Sequence, residues 1–172
     1  MRTSRIVLAA ATLLLAAGLQ AQDRGADRLA REVRHEIVML PYYTLYDNLM
    51  FRVDGGTVTL MGQVVKPSLK SDSENVVKKI EGVEKVVNEI EVLPNSINDD
   101  RLRRQVYRAV FGATGLSRYA MSAVPSIHII VKNGAVTLEG IVATESDKNF
   151  AYLRARGVHG AFSVTNHLMV EK

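Results

Sequence analysis

Cysteine is absent from the 172 residues. Its absence excludes disulfides, a thiolate nucleophile and any cysteine-ligated metal. It also leaves nothing to carry the lipid of a lipoprotein at a cleavage point, so the chain is expected not to be lipid-anchored. The motifs of common catalytic classes are missing as well: there is no G-x-S-x-G, no phosphate-binding loop and no dinucleotide fingerprint. The four histidines, His35, His128, His159 and His167, never fall at H-x-x-x-H spacing. No catalytic residue, metal or cofactor is therefore expected. Strong charge is lacking too. The formal net charge is +4, too small for a nucleic-acid-binding domain. The imbalance is uneven: residues 27–93 hold nine Lys and Arg against eleven acids, and residues 99–172 hold ten against six. If one half meets an acidic partner, it is the second.

Long apolar runs are confined to the start of the chain. Residues 1–21 read as a signal peptide, with Arg2 and Arg5 as the charged start and Ile6 to Leu19 as the apolar core. Leu19-Gln20-Ala21 is the expected cleavage site, an uncleaved anchor being the alternative. That apolar run is too short to span a bilayer comfortably. The mature protein is expected to be soluble, in a bacterial periplasm or outside the cell.

What is present occurs twice. Gly56-Thr57-Val58-Thr59-Leu60-Met61-Gly62 returns 78 residues later as Gly134-Ala135-Val136-Thr137-Leu138-Glu139-Gly140. The same offset carries Gly82 onto Gly160, Val86 onto Val164, Asn88 onto Asn166, Ile90 onto Leu168 and Val92 onto Val170. A match held in register over both stretches marks an internal repeat. Each copy opens on a glycine turn, Asp54-Gly55-Gly56 or Asn133-Gly134, which suits a hairpin. Val58 and Leu60, like Val136 and Leu138, then alternate with threonines across a strand. The closing Gly62 or Gly140 suits a bulge or a close backbone approach.

The flanking periodicities complete the unit. Leu29, Val33, Ile37 and Leu40 form one helical stripe over 27–40, and Pro41 ends it. A strand runs from Leu49 to Val53. A second helix is expected to open at Ser71-Asp72-Ser73-Glu74, and a third strand to run from Val86 to Val92. In copy two the elements are a helix over 99–111, a strand over 126–132, a helix over 147–156 and a strand over 164–170. The unit reads helix, strand, strand, helix, strand. Repeat 1 spans 27–93, a short linker 94–98 and repeat 2 99–172. Units of this size sit near the lower limit for an independent core, so the two are expected to pack together. Tyr42, Tyr43 and Tyr46 are expected to cover the end of the core or the join between repeats. Asn88 and Asn166 are expected to satisfy backbone groups at a turn or bulge, and Glu145 and Asp147 to start a helix rather than act as an acid–base pair.

The G-x-V-x-L-x-G hairpin resembles that of the BON domain, the bacterial osmotic-stress and nodulation domain. So does the terminal run Gly82-Val83-Glu84-Lys85-Val86-Val87-Asn88-Glu89-Ile90-Glu91-Val92. Copy two departs at Ala161, which stands at the Val83 position, while Gly160, Val164, Asn166, Leu168 and Val170 fit. The resemblance implies an α+β fold of two tandem αββαβ repeats, each a three-stranded sheet with two helices on one face. It also implies a non-catalytic role in the cell envelope. Family members are osmotic-stress proteins, modules of channels and secretins, and binders of anionic phospholipid, the last through the first helix of a second domain.

In this chain that helix carries Arg104, Tyr107, Arg108 and Phe111 at spacings of three and four, with Arg101 and Arg103 nearby. Arginine forks beside amphipathic aromatics suit anionic headgroups. These six residues are the expected contact with an anionic phospholipid membrane surface. The alternative is a protein–protein or chaperone-like accessory module of the envelope without lipid contact. Phe150 and Leu153 map by the offset onto Asp72 and Asn75. They are expected first at the inter-repeat join, with a partner site or a different helix rotation as alternatives.

Overall fold

The computed structural model describes residues 25–122 and 124–171; the expected signal peptide lies outside the described residues. Repeat 1 begins with helix α1 (25–38). The hairpin β1 (Asn48–Asp54) and β2 (Thr57–Val64) follows, then α2 (Pro67–Val77), β3 (Lys85–Asn88) and β4 (Glu91–Val92). Repeat 2 has the same order: α3 (Ile97–Phe111), β5 (Ile127–Lys132), β6 (Ala135–Val142), α4 (Glu145–Arg156), β7 (Ser163–Asn166) and β8 (Met169–Val170).

In each sheet the motif strand is central. β2 is antiparallel to β1 and parallel to β3 and β4; β6 is antiparallel to β5 and parallel to β7 and β8. Alternation puts Val58, Leu60 and Val64 inward, against Leu29, Val33 and Ile37 of α1 and Leu69 and Val77 of α2. Both helices therefore cover one face. Val136, Leu138 and Val142 meet Leu102, Val106 and Val110 of α3 and Ala151 and Ala155 of α4 in the same way.

The third strand is broken in both copies rather than continuous. At the break the Asn88 Oδ1 accepts the Ile90 N–H at 3.2 Å while its Nδ2 donates to the Lys70 carbonyl at 2.8 Å. Asn166 does the same with Leu168 N–H and the Lys148 carbonyl. A side chain of this length satisfies the backbone of the interrupted ladder and ties it to the helix above. Two helix starts also differ from expectation. α2 begins at Pro67, four residues before Ser71, because proline at the first helical position has its φ already set and no N–H to lose. α4 begins at Glu145, with Thr144 accepting the Asp147 N–H.

The repeats are docked, through the connector rather than through a helix. The Leu45 carbonyl accepts the Ile129 N–H at 2.7 Å, so the connector bonds the open edge of β5. Leu45 and Tyr46 pack on the core of repeat 2, and Tyr43 on that of repeat 1. Tyr42 stays exposed, under the Lys66 ammonium, 4.1 Å from its ring centre. Asp47 holds the connector in shape by accepting from Thr44 N–H, Thr44 Oγ and Val65 N–H at 2.7–3.0 Å. Lys132 pairs with Glu91 across the join.

His128 lies beneath this connector, stacked on Tyr43 with ring centres 5.9 Å apart. Burial holds its pKa below the ordinary 6.5, against the opposing pull of the Asp47 backbone and the Asp47 and Glu139 carboxylates. The neutral form is the one that fits. Between the folded and unfolded pKa values the unfolded chain binds more protons, so stability is full above pH 6.5 and is lost as pH falls through the lowered folded value. Melting temperature should drop more between pH 7.5 and pH 5 in the wild type than in His128→Gln; equal drops would discharge His128 from that role.

Candidate functional site

The basic helix α3 starts on Ser96, whose Oγ accepts the Asp99 N–H, with Asp99 and Asp100 in its first turn and Arg108 in its last. Both placements suit the helix dipole. Leu102, Val106 and Val110 bury the inner stripe. At 3.6 residues per turn, Arg101, Arg104 and Arg108 then fall together on the outer ridge, and all three are exposed. Among the described residues none of them is paired with a carboxylate.

The six expected contact residues therefore divide. Arg101, Arg104 and Arg108 face solvent, and Tyr107 is 37% exposed. Arg103 is not on that surface. It is 3% exposed, donates to the Val131 carbonyl at 2.8 Å and pairs with Asp100. It stands three residues before Val106, on the flank of the core stripe, and its long stem reaches the end of β5. Phe111 is also inside, at 6% exposure, with Tyr107 tilted against it at 5.1 Å. The longer segment after α3 folds back there, placing Ala113 and Leu116 in the same core.

Phe150 and Leu153 are not at the join. They lie on the outer face of α4, 40% and 61% exposed. Ala151 and Ala155 face the core as Ser73 and Val77 do in α2, so the two helices bury the same side and the offset residues share the outer one. Arg154, next to Leu153, donates from Nε to the Ala109 carbonyl of α3 at 2.9 Å. That bond ties a fourth exposed cation, carried by α4, to α3. Sequence spacing within α3 held no signal for Arg154; only its neighbours Phe150 and Leu153 marked that stretch.

Asp147 is occupied by structural work. It accepts from Arg118 at 2.6 Å, the Tyr119 hydroxyl at 2.8 Å and Thr144 Oγ at 2.7 Å, and the Tyr119 oxygen accepts the Ala143 N–H. The Thr144 bond leads the effects that hold its carboxyl below the usual range. The cluster pins the 3-10 turn Ser117–Ala120 to the start of α4. Among the described residues no group of three or more His, Asp or Glu is placed to hold a metal ion. No helix among them is long and apolar enough to cross a membrane.

The BON domain family matches the chain twice, over residues 25–94 and 98–172. The chain belongs to the BON-domain family. It is a tandem member, and the family is associated with envelope and osmotic-stress proteins and with phospholipid binding. No curated protein matches it. Among solved structures it is similar to CdsD, a structural protein of the type III secretion system of Chlamydia trachomatis. The identity is 12% and the TM-score 0.33, over 84% of this chain and 94% of that one. The C-terminal domain of CdsD matches at 15% identity and TM-score 0.31, over 83% and 96%. Overlap at that level says nothing about function.

Proposed function

We propose that this tandem BON-domain protein is a non-catalytic protein of the bacterial periplasm that contacts anionic phospholipid through its second repeat, in envelope maintenance or osmotic stress. The observation that carries the reading is the ridge of three exposed guanidiniums, Arg101, Arg104 and Arg108, without carboxylate partners among the described residues. Arg154 is tied to the same helix, and the exposed Tyr107, Phe150 and Leu153 add apolar surface in this repeat. Each cation near an anionic leaflet contributes about 1 kcal/mol. Four together support binding on the order of 1 mM, and partial burial of Phe150 and Leu153 strengthens it.

Co-sedimentation with anionic and neutral vesicles at low and high salt tests this. Binding should be confined to anionic vesicles and fall steeply with salt. Arg104→Glu with Arg108→Glu should abolish it, since two attractions become two repulsions. Absence of binding to either kind of vesicle at any salt would sink the lipid reading. It would favour the second reading, a protein-interaction or chaperone-like module, to which the exposed Phe150 and Leu153 also lend support.

A further inference from the structure

Between the repeats lie two adjoining hollows, of about 170 Å³ and 420 Å³, which share Val65, Lys66, Asp100 and Arg103. Arg104 lines the smaller, and the start of α2 at Pro67 lines the larger. The first turn of α2 differs from those of α3 and α4, because Lys66 makes no side-chain cap and no acid follows it. Pro67 has no N–H and the Leu69 N–H donates to the Lys66 carbonyl at 3.1 Å, so the Ser68 N–H is the first-turn donor left without a backbone partner. Lys66 is exposed and, among the described residues, unpaired with any carboxylate. From the other repeat comes Arg103, 3% exposed, with its Nε lacking any hydrogen-bond partner. The acids nearby are already engaged: Asp47 accepts three hydrogen bonds and Asp100 pairs with Arg103.

We propose that this cleft binds a phosphate group, held between Lys66 and the first turn of α2 on one side and Arg103 and Arg104 on the other. The donors still without an acceptor there are the Lys66 ammonium, the Arg104 guanidinium, the Arg103 Nε and the Ser68 N–H of the first turn, converging from two repeats. A tetrahedral anion with several acceptor oxygens matches such a set. A small phosphate ester and a lipid headgroup are both sources of that group, and the inference stands whether or not the protein sits on a membrane.

The test titrates inorganic phosphate and glycerol 3-phosphate into the purified, isotope-labelled protein at low salt and follows backbone amide shifts. Saturable shifts are expected at Lys66, Ser68, Arg103 and Arg104 together. Lys66→Gln, at an exposed position, should weaken binding roughly tenfold through loss of one charge-assisted contact. Arg156→Gln, in the last turn of α4, should leave phosphate binding unchanged. Vesicles of phosphatidylglycerol then identify the source. If Lys66→Gln also weakens vesicle binding, the cleft takes a headgroup; if vesicle binding persists, it takes a soluble ester. Absence of saturable shifts up to tens of millimolar, or shifts indifferent to Lys66→Gln, would overturn the proposal. Intact vesicle binding in the same samples would show that the membrane reading survives without it.

Discussion

Gly140→Ala is expected to unfold repeat 2 under conditions where the wild type is folded. Gly140 has φ +117°, and a Cβ built there falls 2.0 Å from the Ser126 carbonyl oxygen. That oxygen is fixed, because it accepts the Ile141 N–H at the point where β6 passes the start of β5. Neither partner can shift without opening the ladder. Backbone strain and the forced displacement together cost about 3–5 kcal/mol, most of the stability a domain of this size possesses. Gly62→Ala should do the same to repeat 1, with φ +108° and a Cβ 1.9 Å from the Asn48 oxygen. Gly55 is the control. Its φ is +57° and nothing lies within 4 Å, so Gly55→Ala carries only the conformational cost of about 1 kcal/mol. Urea denaturation of the three variants checks the order. A Gly140→Ala protein as stable as Gly55→Ala would mean that the strands do not cross so closely.

Asp99→Ala is expected to be the most damaging polar substitution in repeat 2. The carboxylate is buried, 2% exposed, and accepts the Asn133 and Gly134 N–H groups, each at 2.9 Å. One side chain at the start of α3 thus closes the turn between β5 and β6, where Asn133 itself has positive φ. Truncation leaves two turn amides without their acceptor and loosens helix from hairpin, a loss of about 2–4 kcal/mol. Asp99→Asn keeps the shape and one acceptor oxygen, and should recover part of that. Thermal melts, with amide exchange at Asn133 and Gly134, separate this tie from a capping effect. Exchange at the turn unchanged by Asp99→Ala would show that the bonds do not hold it.

Much of this fold was legible in the residues because its signals are local or self-repeating. The hairpin needs glycine at Gly62 and Gly140, alternation in the strand between, and a turn that accepts positive φ, and each need appears twice at one offset. The paired asparagines point to backbone needs at a turn or bulge, but the alternation around them reads as one continuous strand, which the structure splits in two. The helix start at Pro67 lies ahead of the Ser71 signal, since a proline after a strand reads first as a breaker.

The basic surface was legible only in part. Periodicity in α3 separates an inner stripe from an outer ridge, and that much places Arg101, Arg104 and Arg108. It does not say what covers the flanks. Arg103 went inside because the end of β5 offers the Val131 carbonyl within its reach, and Phe111 because the segment after α3 folds over it. Phe150 and Leu153 stayed outside because α4 turns Ala151 and Ala155 to the core. By itself the sequence determined two α+β repeats, their hairpins and the helix that bears the charge. The tertiary structure decided which of those charges meet solvent, how the repeats join and where the cleft between them lies, because each depends on contacts between residues far apart in the chain.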